Sequence, residues 1–258
     1  MPSVRPGPGL VVRLRAAGCV FAEDEARLLA EAAGSIDELE RMVAQRVAGL
    51  PLEVLVGWAS FCGLRVAVAP GVFVPRRRTE LLARSAAALA TPSAVVLDLC
   101  CGTGAVGAAV AALVPGVEVY AADLDPAAVA CARRNLPPDR VFEGDLYDAL
   151  PPALRGRIDV LVCNAPYVPT DAIALMPPEA RVHEPGVALD GGVEGLDVQA
   201  RVAAGAPDWL GPGGALLIET SERQAPGTVE LMASAGLAAS ITRDARIGGT
   251  VVTGRRPT

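Results

Sequence analysis

Residues 94–104 read Ala-Val-Val-Leu-Asp-Leu-Cys-Cys-Gly-Thr-Gly, an apolar run that passes directly into a glycine-rich turn. The apolar run predicts a buried strand over residues 94–98, and the Ala-rich stretch behind the turn predicts a helix over 104–113. Glycines between a strand and a helix let a ligand approach the backbone, and the first N–H groups of the helix then point at that ligand. The stretch therefore indicates the first strand–turn–helix unit of a ligand-binding α/β domain.

Strand and helix patterns alternate from this unit to the C-terminus. We predict further strands over 117–122, 140–143, 158–163, 214–219, 237–242 and 249–253, and helices over 79–90, 126–135, 196–209 and 222–235. Alternation at this spacing predicts an α/β fold with a doubly wound, mostly parallel, seven-stranded sheet. The last two strands have no helix between them, so we expect an antiparallel closing strand.

A smaller unit precedes the α/β domain. Residues 1–10 contain three Pro and two Gly and are expected to be loose. Helices predicted over 22–33 and from a Ser35 cap to about residue 48 make a small N-terminal helical element, residues 1–62. Strands over 64–69 and 72–74, joined by a Pro-Gly turn, predict a β-hairpin linker over 63–78. The α/β domain then spans residues 79–258.

Composition narrows the class of protein. The net charge is −6, and the 23 basic residues are all Arg; an acidic chain argues against broad nucleic-acid binding. The run Arg76-Arg77-Arg78 is a local exception, which a solvated helix start would explain. Six Cys without a C-x-x-C pair and a single His argue against a metal site and for a reducing compartment. With no membrane span or signal peptide in the pattern, we expect a cytoplasmic protein.

Acidic residues follow the next two strands after the glycine turn. Asp123 ends the strand over 117–122, where a carboxylate accepts hydrogen bonds from ribose hydroxyls. Asp125 precedes Pro126 and is expected to cap a helix instead. Asp145 and Leu146 follow the third strand, where the carboxylate would accept a hydrogen bond from an adenine amino group and the Leu146 side chain would pack on the ring. A simple loop carboxylate is an open alternative for Asp145. The predicted cofactor-binding residues are Asp98, Cys100, Cys101, Gly102, Thr103, Gly104, Asp123, Asp145, Leu146 and Asn164.

A second motif follows the strand over 158–163. Asn164, Ala165, Pro166 and Tyr167 place an amide, a backbone carbonyl and an aromatic ring at a strand's carboxyl end, where open α/β sheets bind ligands. This combination suits the gripping of a planar –NH2 group while its nitrogen is modified. Residues 102–107 also fit the G-x-G-x-x-G pattern of NAD enzymes. A dehydrogenase has no use for the second motif, which therefore favours group transfer to nitrogen.

Together these motifs resemble the class I S-adenosylmethionine-dependent methyltransferases. Within that class the chain is similar to the protein-(glutamine-N5) methyltransferases, which modify the Gly-Gly-Gln glutamine of peptide chain release factors. The resemblance runs from about Gly49 to near the C-terminus. Besides the two motifs, it is carried by Gly49-Leu50-Pro51, Phe73-Val74-Pro75-Arg76, His183-Glu184-Pro185, Ala188-Leu189-Asp190-Gly191-Gly192, Gly195-Leu196-Asp197 and Pro212-Gly213-Gly214. The chain departs from the family at Ala165, where proline is usual, and in its shorter N-terminal element.

The resemblance implies S-adenosylmethionine as cofactor and a release factor as protein substrate. We also expect a monomer that makes no stable nucleic-acid or membrane contacts. The resemblance implies catalytic roles for Asn164, Ala165, Pro166 and Tyr167. The implied substrate-binding residues are Phe73, Arg76, Asn164, Ala165, Pro166, Tyr167 and Glu184.

Alternatives stay open at several of these positions. Phe73 and Arg76 would also suit a hairpin core, and Glu184 with Arg181 would suit a surface ion pair. Two other functions also remain: an N6-adenine methyltransferase acting on DNA or RNA, and a non-catalytic S-adenosylmethionine-binding protein.

Overall fold

The computed structural model of the chain describes residues 8–176 and 184–258. Within these ranges the chain has nine strands and nine α-helices. The strands are β1 Trp58–Phe61, β2 Leu64–Ala67, β3 Val95–Leu99, β4 Glu118–Asp123, β5 Val141–Glu143, β6 Ile158–Cys163, β7 Leu210–Glu219, β8 Ala238–Asp244 and β9 Gly249–Arg255. The helices are α1 Pro8–Ala16, α2 Ala22–Ala32, α3 Ile36–Val47, α4 Leu52–Val56, α5 Glu80–Leu89, α6 Ala105–Leu113, α7 Pro126–Ala132, α8 Asp197–Trp209 and α9 Ala225–Ser234.

Seven of the strands form one sheet in the order β5-β4-β3-β6-β7-β9-β8. The first five run parallel, and β9 pairs antiparallel with both β7 and β8. The predicted doubly wound sheet with an antiparallel closing strand is confirmed. Because the chain winds outward from β3 in one direction and from β6 in the other, the sheet has its topological switch point between these two strands. Crevices outside the carboxyl ends of strands at such a point are where ligands bind.

The core lies on both faces of this sheet. All five residues of β3 are buried, and its side chains alternate between two hydrophobic clusters, Val96 facing one and Leu97 the other. Helices α5, α6 and α7 cover the first face, and α8 and α9 cover the second. Burial on both faces explains why β3 reads as a continuous apolar run rather than an alternating one.

The N-terminal helices have a hydrophobic cluster of their own, formed by α1, α2 and α3. The expectation that residues 1–10 are loose is wrong for residues 8–10, which begin α1, because Leu10 and Leu14 are buried in this cluster. The predicted Ser35 cap is confirmed, since its hydroxyl accepts a hydrogen bond from the Glu38 N–H at 3.1 Å. The division of the chain at residues 62 and 78 stays a prediction.

The predicted hairpin of strands 64–69 and 72–74 is wrong in its second strand. β2 pairs instead with the preceding segment, as Phe61 faces Leu64 across a two-residue loop. The loop residues Cys62 and Gly63 have φ of 49° and 79°, and positive φ at both loop positions gives the twist that a two-residue hairpin needs. Cys is rare in such a turn, so the Pro-Gly pair further along the chain gave a stronger but misleading signal.

No helix in residues 8–176 and 184–258 combines the length and the apolar character needed to cross a membrane.

Candidate active site

The glycine turn, residues 100–104, begins where β3 ends. Gly104 has φ of +72°, and a Cβ there would stand 2.9 Å from the Leu136 side chain, so a larger residue at this place would be strained and crowded. Asp98, at the fourth position of β3, is buried, and its Oδ2 accepts a hydrogen bond from the Gly107 N–H of α6 at 2.9 Å. Burial raises the pKa of the Asp98 carboxyl to about 7. This buried carboxylate therefore ties the strand to the helix behind the turn.

Asp123 lies beside the same turn, at the end of β4. Its Oδ2 accepts the Gly102 N–H at 2.8 Å, and its Oδ1 accepts the Asp125 N–H at 2.9 Å. Burial raises the pKa of Asp123, and these two backbone donors oppose that shift. Each oxygen keeps a lone pair for a further donor. The predicted N-cap at Asp125 is also confirmed, since its Oδ1 accepts the Ala127 N–H at 2.8 Å.

A cavity of about 410 Å³ opens over the carboxyl ends of β3, β4 and β6. It brings the two sequence motifs into one space. The predicted site residues on its wall are Phe73, Arg76, Asp98, Cys100, Cys101, Gly102, Thr103, Asp123, Asp145, Leu146, Asn164, Ala165, Pro166, Tyr167 and Glu184. Gly104 shapes the turn but is not on the wall.

The acceptor loop, residues 164–168, leaves the end of β6 and is held from behind by residues 189–197. The Val168 N–H donates to the Leu189 carbonyl at 3.0 Å, and the Gly191 N–H donates to the Val168 carbonyl at 2.9 Å. A Cβ on Gly191 would stand 2.7 Å from the Pro166 carbonyl oxygen, and one on Gly195 would stand 2.3 Å from that of Tyr167. The glycines downstream are thus required because two backbones touch.

Gln224, at the start of α9, was missed by sequence reasoning. Its side-chain Nε2 donates to the carbonyls of Tyr167 and Glu194, both at 2.8 Å, and to that of Gly195 at 3.3 Å. The Ser221 hydroxyl donates to its Oε1, which fixes the orientation of the amide. One buried amide therefore joins the acceptor loop to the segment behind it. The sequence around residue 224 carries no motif that would have revealed this role.

Arg78 and Glu219, also missed, meet the ring of Tyr167. The Tyr167 hydroxyl and Arg78 Nε both donate to Glu219 Oε1, each at 3.3 Å. The Arg78 guanidinium carbon lies 5.8 Å from the centre of the Tyr167 ring. Burial and the nearby Glu219 charge raise the pKa of Tyr167 to about 12, so the phenol stays protonated at neutral pH. The expected solvated helix start is confirmed for Arg78, which lies in the turn before α5 with a side chain that is 43% exposed, but the same side chain also contacts Tyr167 and Glu219.

Phe73, Arg76 and Glu184 form one wall of the cavity. Arg76 makes an ion pair with the buried carboxylate of Glu184, and its guanidinium carbon lies 5.1 Å from the centre of the Phe73 ring. Phe73 lies outside the hairpin, which spans residues 58–67, so the hairpin-core alternative is wrong for it. Arg181 and His183 lie outside the described residues.

Asp145 and Leu146 reach the cavity from the end of β5. Leu146 has φ of +48°, a conformation that costs a non-glycine residue about 1–2 kcal/mol, and its side chain is buried at the wall. Backbone strain of this kind clusters at ligand sites. Asp145 Oδ2 pairs with Arg201 at 2.7 Å, and both side chains are about half exposed.

The sequence of this chain is similar to those of known methyltransferases. Residues 63–192 match the family model of the methyltransferase small domain. A release factor glutamine methyltransferase of Geobacter sulfurreducens is 36% identical over 199 residues, 76% of this chain and 69% of that protein. One of Cereibacter sphaeroides is 36% identical over 252 residues, 88% of each chain. A 4-amino-L-phenylalanine/4-methylamino-L-phenylalanine methyltransferase of Streptomyces pristinaespiralis is 37% identical over 203 residues, 75% of this chain and 68% of that protein. On this similarity, the chain belongs to the family of release factor glutamine methyltransferases.

Proposed function

We propose that this protein transfers a methyl group from S-adenosylmethionine to the side-chain amide nitrogen of a protein glutamine, that of the Gly-Gly-Gln segment of a release factor. One observation carries the proposal: the glycine turn and the acceptor loop line a single cavity. A methyl donor bound on the turn and an amide bound on the loop would therefore share one space. The family relatives named as release factor glutamine methyltransferases support this acceptor.

The cavity suits the donor half of the reaction. Asp123 is held by two backbone N–H groups and has lone pairs left for the ribose hydroxyls. The glycine turn allows close approach of the amino-acid part, and Leu146 offers an apolar surface to the adenine. Asp145 would accept from the adenine amino group, in competition with its pairing to Arg201. When bound, S-adenosylmethionine supplies an electrophilic methyl group on a sulfonium.

The acceptor loop suits a primary amide. We assign Asn164 Oδ1 and the Ala165 carbonyl to the two N–H bonds of the target glutamine, with Tyr167 packed against the amide plane. An amide nitrogen is a weak nucleophile because its lone pair is delocalised into the carbonyl. Holding that nitrogen roughly 3–3.5 Å from the methyl carbon in a fixed orientation supplies about 7–11 kcal/mol. The extra proton of the methylated nitrogen leaves to water, so no strong base is needed.

Ala165 in place of the usual proline is compatible with this assignment, because the group required there is a backbone carbonyl. Alanine leaves φ free where proline would fix it. The packing of residues 189–197 and the hydrogen bonds from Gln224 restrain the loop from behind. We infer that these contacts replace the missing pre-organisation.

The test is a methylation assay with the purified protein and labelled S-adenosylmethionine. The acceptors are a release factor and a short Gly-Gly-Gln peptide, with a Gly-Gly-Ala peptide as control. We expect label on the glutamine, located by mass spectrometry. The variant Asn164→Ala should lose transfer while it keeps cofactor affinity in calorimetry. Methyl transfer at the wild-type rate by this variant would refute the role of Asn164 in binding the target amide. The absence of label on both glutamine substrates would refute glutamine as the acceptor.

A second candidate function is favoured by the relative named for 4-amino-L-phenylalanine. An arylamine also presents a planar –NH2 group, as does the exocyclic amine of adenine. The same assay with 4-amino-L-phenylalanine and with adenine-containing DNA separates the three acceptors, because each would leave the label on a different product. A cytoplasmic monomer that binds neither nucleic acid nor membrane stays a prediction, and light scattering during size-exclusion chromatography tests the monomer.

A further inference from the structure

We infer that Glu219 is a positioning residue for Tyr167: with Arg78 it fixes the position of the aromatic ring in the acceptor site. The inference about turnover rests on the proposed function, whereas the contact between the two side chains can be tested without any substrate.

The contacts converge on one oxygen atom. Glu219 is the last residue of β7, and its side chain is 2% exposed. Its Oε1 accepts from the Tyr167 hydroxyl and from Arg78 Nε, 3.3 Å in each case. The two donors come from different places: Tyr167 from the loop after β6, and Arg78 from a single 3-10 turn before α5. One carboxylate at a strand end therefore joins two segments of the cavity wall.

Stability alone does not account for a carboxylate at this position. A buried ionised group costs free energy unless it is paired and fully hydrogen-bonded. Arg78, its ion-pair partner, has a side chain that is 43% exposed, so water weakens the pair. Among the described residues no hydrogen bond of normal geometry reaches Glu219 Oε2, although the Thr79 hydroxyl is near enough to lower the pKa of the carboxyl against the effect of burial. An apolar residue would serve the core better, and burial raises the pKa of Glu219 accordingly.

The contacts of the Glu219 carboxylate indicate a role in restraining the Tyr167 side chain. A tyrosine side chain turns about two torsions. Its hydroxyl oxygen lies on the axis of the ring torsion, so the bond to Glu219 restricts the first torsion, which swings the ring toward or away from the cavity. The Arg78 guanidinium lies near the ring as a second restraint. Tyr167 and Arg78 lie on the cavity wall and Glu219 does not. Glu219 therefore acts through Tyr167, on the position of the ring against which an acceptor amide packs.

The kinetic test is a double-mutant cycle of Glu219→Gln and Tyr167→Phe. Each variant should lower kcat by about 10–100-fold, which corresponds to the loss of a hydrogen bond to a charged group. KM for S-adenosylmethionine should stay within about twofold, since neither group is assigned to the donor half. The double variant should be no slower than the slower single variant, because both changes break the same bond. If the kcat losses of the two single variants multiplied in the double variant, or if Glu219→Gln kept the wild-type kcat, the inference would be overturned.

The chain offers a matched control. The Tyr120 hydroxyl donates to Glu118 Oε2 at 3.1 Å, the same chemistry at the opposite end of the sheet and off the cavity wall. Glu118→Gln and Tyr120→Phe should leave kcat unchanged. A loss of kcat in these variants equal to that at Glu219 would attribute the effect to general destabilisation and overturn the inference.

A spectroscopic readout needs no activity. The chain has three tyrosines, so labelling the ring carbon that bears the hydroxyl with ¹³C gives three NMR signals, and Tyr167→Phe identifies one of them. Glu219→Gln should shift the Tyr167 signal and lower the pKa of its phenol from about 12, because it removes a nearby negative charge. Glu118→Gln should move only the Tyr120 signal. An unchanged Tyr167 signal in Glu219→Gln would overturn the inference even in an active enzyme. A protein that methylates no glutamine would instead refute the proposed function, and the NMR result would still decide the contact.

Discussion

Replacing Gln224 by Glu and by Met separates the hydrogen bonds of this side chain from its shape. Glu keeps the outline of the amide but turns its donor into an oxygen that faces three carbonyl oxygens. Met keeps approximately the volume and offers no donor. Both changes should release the acceptor loop, because the Tyr167 carbonyl and the segment behind it share this one amide.

The magnitude follows from three hydrogen bonds of this side chain: its two N–H groups make the two contacts at 2.8 Å, and its Oε1 accepts from the Ser221 hydroxyl. Each is worth about 0.5–1.5 kcal/mol net, so Gln224→Met should lower the free energy of unfolding by about 2–4 kcal/mol. Gln224→Glu should lower it at least as much, since repulsion between oxygens is added to the lost bonds. For a chain of this size, that loss corresponds to a fall in Tm of about 4–15 °C. A small misplacement of the loop should also lower kcat by tenfold or more, since 1 Å can cost about 10²-fold.

The assay combines urea unfolding, followed by circular dichroism, with single-turnover methylation of the Gly-Gly-Gln peptide. Gln45→Glu is the control, because Gln45 is an exposed residue of α3 and its substitution should change stability by less than about 0.5 kcal/mol. If Gln224→Glu unfolded at the wild-type urea concentration and methylated at the wild-type rate, the loop would not depend on this amide and the reasoning would be refuted.

Three further changes test other parts of the site. Asp98→Asn should flatten the pH dependence of stability. The unfolded chain releases this proton near pH 4 and the folded chain at about pH 7, so the stability that wild type gains from this group is lost as the pH rises between those values. About 3 kcal/mol of that loss falls between pH 5 and pH 8.5, where urea unfolding measures it. Gly195→Ala places a Cβ 2.3 Å from the Tyr167 carbonyl oxygen at φ of +73°. It should lower the free energy of unfolding by more than its control Gly236→Ala, where φ is +78°, no atom lies within 4 Å and the loss is only about 1–2 kcal/mol. Equal losses in the two variants would argue against the backbone contact. Asp123→Ala should weaken binding of S-adenosylmethionine in calorimetry by tenfold or more, for two lost charge-assisted hydrogen bonds, and an unchanged affinity would contradict the ribose assignment.

Local patterns in the chain predicted most of the fold. Strand β6 matches its predicted bounds, 158–163, because a short apolar run buried on both faces is a strong signal. The caps at Ser35 and Asp125 were also predicted, since a capping side chain bonds a backbone group two or three residues away. The hairpin failed for a similarly local reason: its turn places a cysteine at positive φ, a choice that turn preferences do not anticipate.

In the site, too, local patterns were predictable from the sequence and long-range contacts were not. The sequence by itself determined the glycine turn, the acidic residue after β4 and the amide–aromatic motif after β6, because each is a contiguous pattern at a strand end and parallel strands bring such ends together. Only the tertiary structure decided what holds the motif in place. Tyr167 is bonded to Glu219 across 52 positions and to Gln224 across 57, and Arg78 reaches Glu219 across 141. Contacts at these separations leave no periodicity in one sequence, because the packing of whole elements, rather than the neighbours of any residue, sets which side chains meet.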